Sequence, residues 1–179
     1  MISKFVKGKV GVFIDAANIF YSQRTLGWRI DYEKLLGYIR RECSISIIRY
    51  YTGKVGALEK QLSFIKKLER LGYVVTAKEV KLIKAGNGGF VPKSNLDVEL
   101  ALDAFMSQES YETLLLFSGD SDFAYLLELL KQRGKRVIVV STRGHISKEL
   151  LDRAKYIDLK KLRQQLELEK NQKPLESGL

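Results

Sequence analysis

LLLFSGDSDF, residues 114–123, is an apolar run that stops abruptly at Ser118-Gly119-Asp120-Ser121-Asp122 and then turns helical. An apolar run with no polar alternation belongs to a strand buried on both faces, and therefore to a parallel sheet covered by helices. Two carboxylates at the end of such a strand are costly beside an apolar core unless something cationic meets them. Fold and chemistry both turn on whether other segments repeat this pattern.

The N-terminal segment does. Residues 10–14, VGVFI, make a β-branched and aromatic strand that ends at Asp15-Ala16-Ala17-Asn18, before a helical stretch at 19–26 closed by Gly27. Asp31 is placed to cap a helix over 32–42, where Leu35, Leu36 and Ile39 recur at helical spacing, and SISIIRYY at 44–51 follows as a strand. A turn at Thr52-Gly53 leads to a helix over 58–71 with the stripe Leu58, Leu62, Ile65 and Leu68, ended by Gly72. A strand over 73–83 then meets a glycine-rich loop at 85–94, and Asn95 caps a helix reaching about residue 108.

After residues 114–123 come a helix to Arg133, a strand at 137–140, a loop holding Arg143 and His145, a short helix at 147–154 and a small strand at 156–158. Alternating strands and helices define an α/β fold, a three-layer α/β/α sandwich on a mainly parallel central sheet. The expected domain spans 1–160 and a tail covers 161–179, fraying beyond 170. Leu159, Leu162 and Leu166 continue at helical spacing, which fits either a homodimer contact or packing back onto the same domain.

Composition narrows the chemistry. Lys and Arg outnumber Asp and Glu by 31 to 21, a net charge of +10, so the expected partner is a polyanion and most simply a nucleic acid. One cysteine, Cys43, excludes an internal disulfide; with one histidine, His145, the usual Cys/His zinc clusters are excluded and His-dependent triads disfavoured. No apolar run approaches a membrane span and the start lacks a signal segment, so the expected location is cytoplasmic, away from membranes.

In open parallel sheets the functional crevice lies beyond the C-terminal strand ends, where strand order reverses. Asp15 and Asp120 both end strands and so belong on that rim. On the helix after Asn95, Asp97 shares a face with Leu100, Ala101, Ala104 and Phe105, which must pack on the sheet, whereas Glu99 and Asp103 fall about 200° and 240° away. Taken singly these acids have ordinary readings: a helix-terminal charge for Asp97, a cap and first-turn acid for Asp120 and Asp122, an Asx-turn for Asp15 with Asn18 capping. Those readings leave their common edge unexplained. Carboxylates brought together need a cation, and an oxygen-only set selects Mg²⁺ or Mn²⁺, which suits phosphodiester chemistry.

FIDAAN (13–18), KSNLDVELALDAF (93–105), LLLFSGDSDFAYLLELLKQRGKRVIVVS (114–141) and SKELLDRAKYIDL (147–159) together resemble an NYN domain of the LabA-like branch, within the PIN-like nuclease superfamily. The resemblance implies a metal-dependent ribonuclease centre with Asp15, Asp97, Asp120 and Asp122 as catalytic and metal-holding acids. Asn18 would orient a carboxylate or contact phosphate, and Ser118 would steady the Asp120 turn. Asp103 also matches a recurrent acid of the family, against the helical-wheel direction. Arg24, Lys93 and Arg143 are basic candidates for the RNA path, each equally readable as a surface charge; Lys93 stands one residue further from Asp97 than the family's shorter spacing.

Two function classes follow. The first is a Mg²⁺- or Mn²⁺-dependent endoribonuclease; the second is a non-cleaving RNA-binding or regulatory module on the same fold. A phosphatase is disfavoured, because no second acid stands two residues after Asp15.

Overall fold

The computed structural model describes residues 1–54, 56, 58–84, 90–93 and 95–169, with the backbone alone at 81–84 and 90–93. Strands β1 (Val10–Asp15), β2 (Ile45–Lys54), β3 (Val74–Glu79), β6 (Thr113–Phe117), β7 (Arg136–Ser141) and β8 (Lys155–Asp158) form one sheet, while β4 (Lys81–Lys84) and β5 (Phe90–Lys93) pair as a separate antiparallel ribbon. The sheet order is β3-β2-β1-β6-β7-β8, and each neighbouring pair is parallel. Strand order therefore reverses between β1 and β6, which puts the crevice of an open α/β sheet at Asp15 and residues 118–120.

Burial on both faces explains the unalternated apolar runs. Val10, Val12 and Ile14 enter one core with residues of α1 (Ala16–Leu26), α2 (Tyr32–Glu42) and α3 (Glu59–Leu71). Phe13, Leu114 and Leu116 enter the other with α4 (Asp97–Met106), α5 (Ala124–Gln132) and α6 (Lys148–Leu151). Helix α4 packs as its pattern requires, with Leu100 and Ala104 buried and Ala101 and Phe105 partly so. The result is the expected α/β/α sandwich.

Several boundaries differ from expectation for reasons visible in the pairing. Strand β2 does not turn at Thr52-Gly53 but continues to Lys54, because β3 pairs with it over 49–54. The expected third strand breaks at Val80, whose N–H donates to the Lys54 carbonyl at 2.8 Å. Residues 81–84 then leave the sheet and pair with 90–93, so part of the expected glycine-rich loop is strand β5; residues 85–89 and 94 lie outside the described residues. Helix α1 starts at Ala16 rather than 19, and a 3₁₀ turn, Ser121–Phe123, precedes α5.

At the C-terminal side, a 3₁₀ turn, Leu159–Leu162, leads into the short α7 (Arg163–Leu166). Leu159, Leu162 and Leu166 are buried in the α1–α3 core. The Leu166 carbonyl accepts from the Asp31 N–H, and the Leu168 N–H donates to the Arg29 carbonyl, each at 2.8 Å. These leucines pack back onto their own domain; residues 170–179 lie outside the described residues. Among the described residues no helix is long and apolar enough to cross a membrane.

Candidate metal centre

Asp15 is the N-cap of α1: one carboxylate oxygen accepts the Asn18 N–H at 3.2 Å and the other accepts the Ser118 hydroxyl at 2.9 Å. Asn18 is thus not itself the cap. Its side-chain oxygen accepts the Gly119 N–H at 2.9 Å, lacing the end of β1 to the loop after β6. Ser118 is fully buried, and its hydroxyl also accepts the Asp120 N–H at 3.2 Å. It steadies the Asp120 turn, as expected, from beneath the site rather than from its surface.

Asp120 caps the 3₁₀ turn, its carboxylate accepting the Asp122 N–H at 3.0 Å, and this Asx geometry swings Asp122 back toward it. Asp97 enters from the first turn of α4, and its N–H donates to the Asn95 side-chain oxygen at 2.8 Å, so Asn95 serves the helix end from two residues upstream. Asp97, Asp120 and Asp122 each offer an oxygen, and the three lie within 4.8 Å of one another. Asp97 and Asp120 are part-buried and Asp122 is exposed, so the trio opens on the Asp122 side.

Electrostatics ties in the fourth acid. Burial, then the negative charges of Asp15, Asp120 and Asp122, push the Asp97 carboxyl up to about 6. The Asp15 carboxyl is raised by burial above all, against the lowering pull of the Asn18 N–H and the Ser118 hydroxyl, with Asp120 adding repulsion. Four acids therefore share one neighbourhood in which full ionisation is unfavourable, and a cation bound there would relieve the repulsion. Clustered carboxylate oxygens fit a hard divalent ion of the Mg²⁺ or Mn²⁺ type.

Asp103 does not join them. Its Oδ2 accepts from the Arg49 guanidinium at 2.7 Å and from the Tyr51 hydroxyl at 2.9 Å, which pins α4 to β2. This is the direction that the helical wheel gives.

Gly119 escaped notice in the sequence beyond its place in the motif. A Cβ built on it would collide with the His145 carbonyl oxygen and crowd the Ser141 hydroxyl, while its own carbonyl accepts the Ser147 N–H at 2.9 Å. The first turn of α1 and the loops after β6 and β7 meet at this residue, and only a missing side chain lets the β7 loop come so close. The His145 ring meets the Thr25 hydroxyl at 2.6 Å, fastening the β7 loop to α1. A glycine between a strand end and an acid was the available signal. Arg24 and Arg143 are exposed, on the last turn of α1 and the loop after β7; the side chain of Lys93 lies outside the described residues.

A parallel α/β domain with an aspartate trio at its switch point is the architecture of the NYN class. The NYN domain model matches residues 9–160, and the chain belongs to that family, in its LabA-like branch. It is 34% identical to the low amplitude and bright protein LabA of Synechococcus elongatus, an alignment covering 97% of this chain and 96% of that protein. An uncharacterized protein of Methanocaldococcus jannaschii is 36% identical over 43% of this chain and 35% of its own length. Among solved structures, a Vibrio parahaemolyticus protein of unknown function shares the fold with a TM-score of 0.73 and 25% identity, over 86% of this chain and 93% of that one.

Proposed function

We propose that this protein is a Mg²⁺- or Mn²⁺-dependent endoribonuclease acting in the cytoplasm. The observation that carries the reading is the convergence of Asp97, Asp120 and Asp122 oxygens within 4.8 Å of one another, at the switch point of a parallel sheet in a basic NYN domain. A divalent ion held there supplies Lewis-acid polarisation of the phosphoryl oxygen, activation of the attacking water and compensation of the leaving oxygen's charge.

The chain's own residues supply the rest. Asp97, Asp120 and Asp122 would hold the ion, and Asp15, with lone pairs left on both oxygens, would complete the acid core from below. Ser118, bonded to Asp15 and to the Asp120 backbone, fixes the distance between the two strand ends. Asn18 spends its side-chain oxygen on Gly119, leaving its amide N–H groups as donors for a phosphate oxygen. Arg24, Arg143 and Lys93 belong to the basic surroundings that draw in the RNA backbone, in a chain carrying +10. No protein nucleophile is required, so hydrolysis proceeds without a covalent intermediate.

The test is cleavage of labelled single-stranded, hairpin and duplex RNA and DNA in Mn²⁺, Mg²⁺ or EDTA, beside Asp120→Asn. RNA cleavage lost in both EDTA and Asp120→Asn supports the reading. Cleavage that survives both places the chemistry elsewhere; salt-sensitive binding with no cleavage makes the protein an RNA-binding module.

A further inference from the structure

The acid trio is closed on most sides. Buried Asp15 and Ser118 lie beneath it, and Asn18 bonds across to Gly119 on the α1 side. The β7 loop presses its His145 carbonyl against Gly119. Asp122 alone of the three is exposed, so a strand reaches the centre from its side.

Tyr125 stands on that side, one turn along from Asp122 in the first turn of α5. The 3₁₀ turn that holds Asp122 runs directly into α5, so about one turn of chain separates the two residues. Its side chain is 69% exposed, and Val98, beside Asp97 in the first turn of α4, is 64% exposed. Helix α4 packs against both the 3₁₀ turn and α5, so these two apolar groups lie on helices that meet at the trio.

Tyr125 is also unengaged. Among the described residues its hydroxyl has no hydrogen-bond partner and its ring no aromatic or cationic neighbour. Tyr21, the other well-exposed tyrosine, is different: its ring sits edge-to-face on Phe20, with centroids 5.6 Å apart. A large ring left in water next to a cluster that would take a phosphate has an obvious complement, the flat face of a nucleobase. Stacking needs that face uncovered, and in a duplex each base face is already covered by its neighbours.

We propose that Tyr125 stacks on an unpaired base next to the scissile phosphate and thereby makes single-stranded RNA the preferred substrate. This rests on the hydrolytic reading for the location of the phosphate, but stacking can be measured without cleavage.

The experiment measures binding in the full-length Asp120→Asn background, so that the strand stays intact. The probes are a short single-stranded RNA carrying 2-aminopurine and the duplex of the same sequence. Tyr125→Ala and Tyr125→Leu should weaken single-strand binding roughly 5- to 150-fold, the weight of one stacked base, and relieve 2-aminopurine quenching. Duplex affinity and the salt slope should not move, because no cation is removed. Tyr125→Phe should bind and quench like the parent. The proposal is overturned if Tyr125→Leu binds like the parent, if Ala and Leu weaken duplex and single strand equally, or if Phe loses as much as Ala. With wild-type Asp120, absent cleavage alongside Tyr125-dependent stacking sinks the hydrolytic reading and leaves the stacking site. Intact cleavage with the single-strand preference unchanged in Tyr125→Ala does the reverse.

Discussion

At the start of α4, Asp97 faces three other carboxylates; six residues later on the same helix, Asp103 faces a guanidinium and a phenol. The same functional group is therefore held in two opposite settings by one rigid element. Asp103 is satisfied within the protein, and its ion pair fixes the helix. Asp97 has its carboxyl raised by burial and by its acidic neighbours, and among the described residues no cation is paired with it. The contrast separates an acid paired within the protein from an acid crowded by others of its own charge.

The largest expected effect is on catalysis. Asp97→Asn should lower RNA cleavage by at least about 100-fold, the usual loss when a charge facing the transition state is removed, while Asp103→Asn should keep most activity. Rates measured side by side would break the comparison if the two variants fell together.

Thermal unfolding gives the next effect. With Mg²⁺ or Mn²⁺ at about 100 times its dissociation constant, the wild type should gain about 2.7 kcal/mol, a gain that EDTA reverses and Asp97→Asn largely loses. In metal-free protein, Asp103→Asn should cost roughly 1.5–3 kcal/mol in denaturant unfolding, because the part-buried Arg49 loses its charged partner.

Asp97→Asn should act in the opposite direction. A carboxyl raised from 3.8 to about 6 holds its proton more tightly in the folded chain than in the unfolded one. Its contribution to stability is complete below the unfolded value and is lost as pH rises through about 6. Removing the charge should therefore stabilise the metal-free protein at pH 7 by on the order of 1 kcal/mol, after allowing for solvent screening, with the advantage gone near pH 4. Unfolding curves at both pH values decide it. Smallest of all, Tyr51→Phe should cost about 0.5 kcal/mol, since Arg49 still satisfies Asp103.

Much of this was written in local pattern. Apolar runs ending in Asp15 and Asp120 announced a parallel sheet and its functional rim, and the spacing of Leu100, Ala104 and Phe105 turned Asp97 inward. What local pattern cannot carry is who arrives from elsewhere. A helical wheel turned Asp103 away from Asp97, but only the β2 register brings Arg49 and Tyr51 to meet it. The β4–β5 ribbon was invisible for a related reason: lysines, glycines and a proline give no alternation, and short strands are set by pairing rather than by side chains. The crossing at Gly119 likewise depends on the loop after β7, far along the chain.

The bond from Ser118 to Asp15 spans 103 positions, and β1 lies between the early strand β2 and the late strand β6. Such non-local pairing is slow, and domains assemble as their segments leave the ribosome. A nascent chain can dock β1 on β2 long before the other edge of β1 is covered or Asp120 exists. The acid centre is thus complete only once residues 118–122 have been made, and until then Asp15 waits without the partners that the later strand brings.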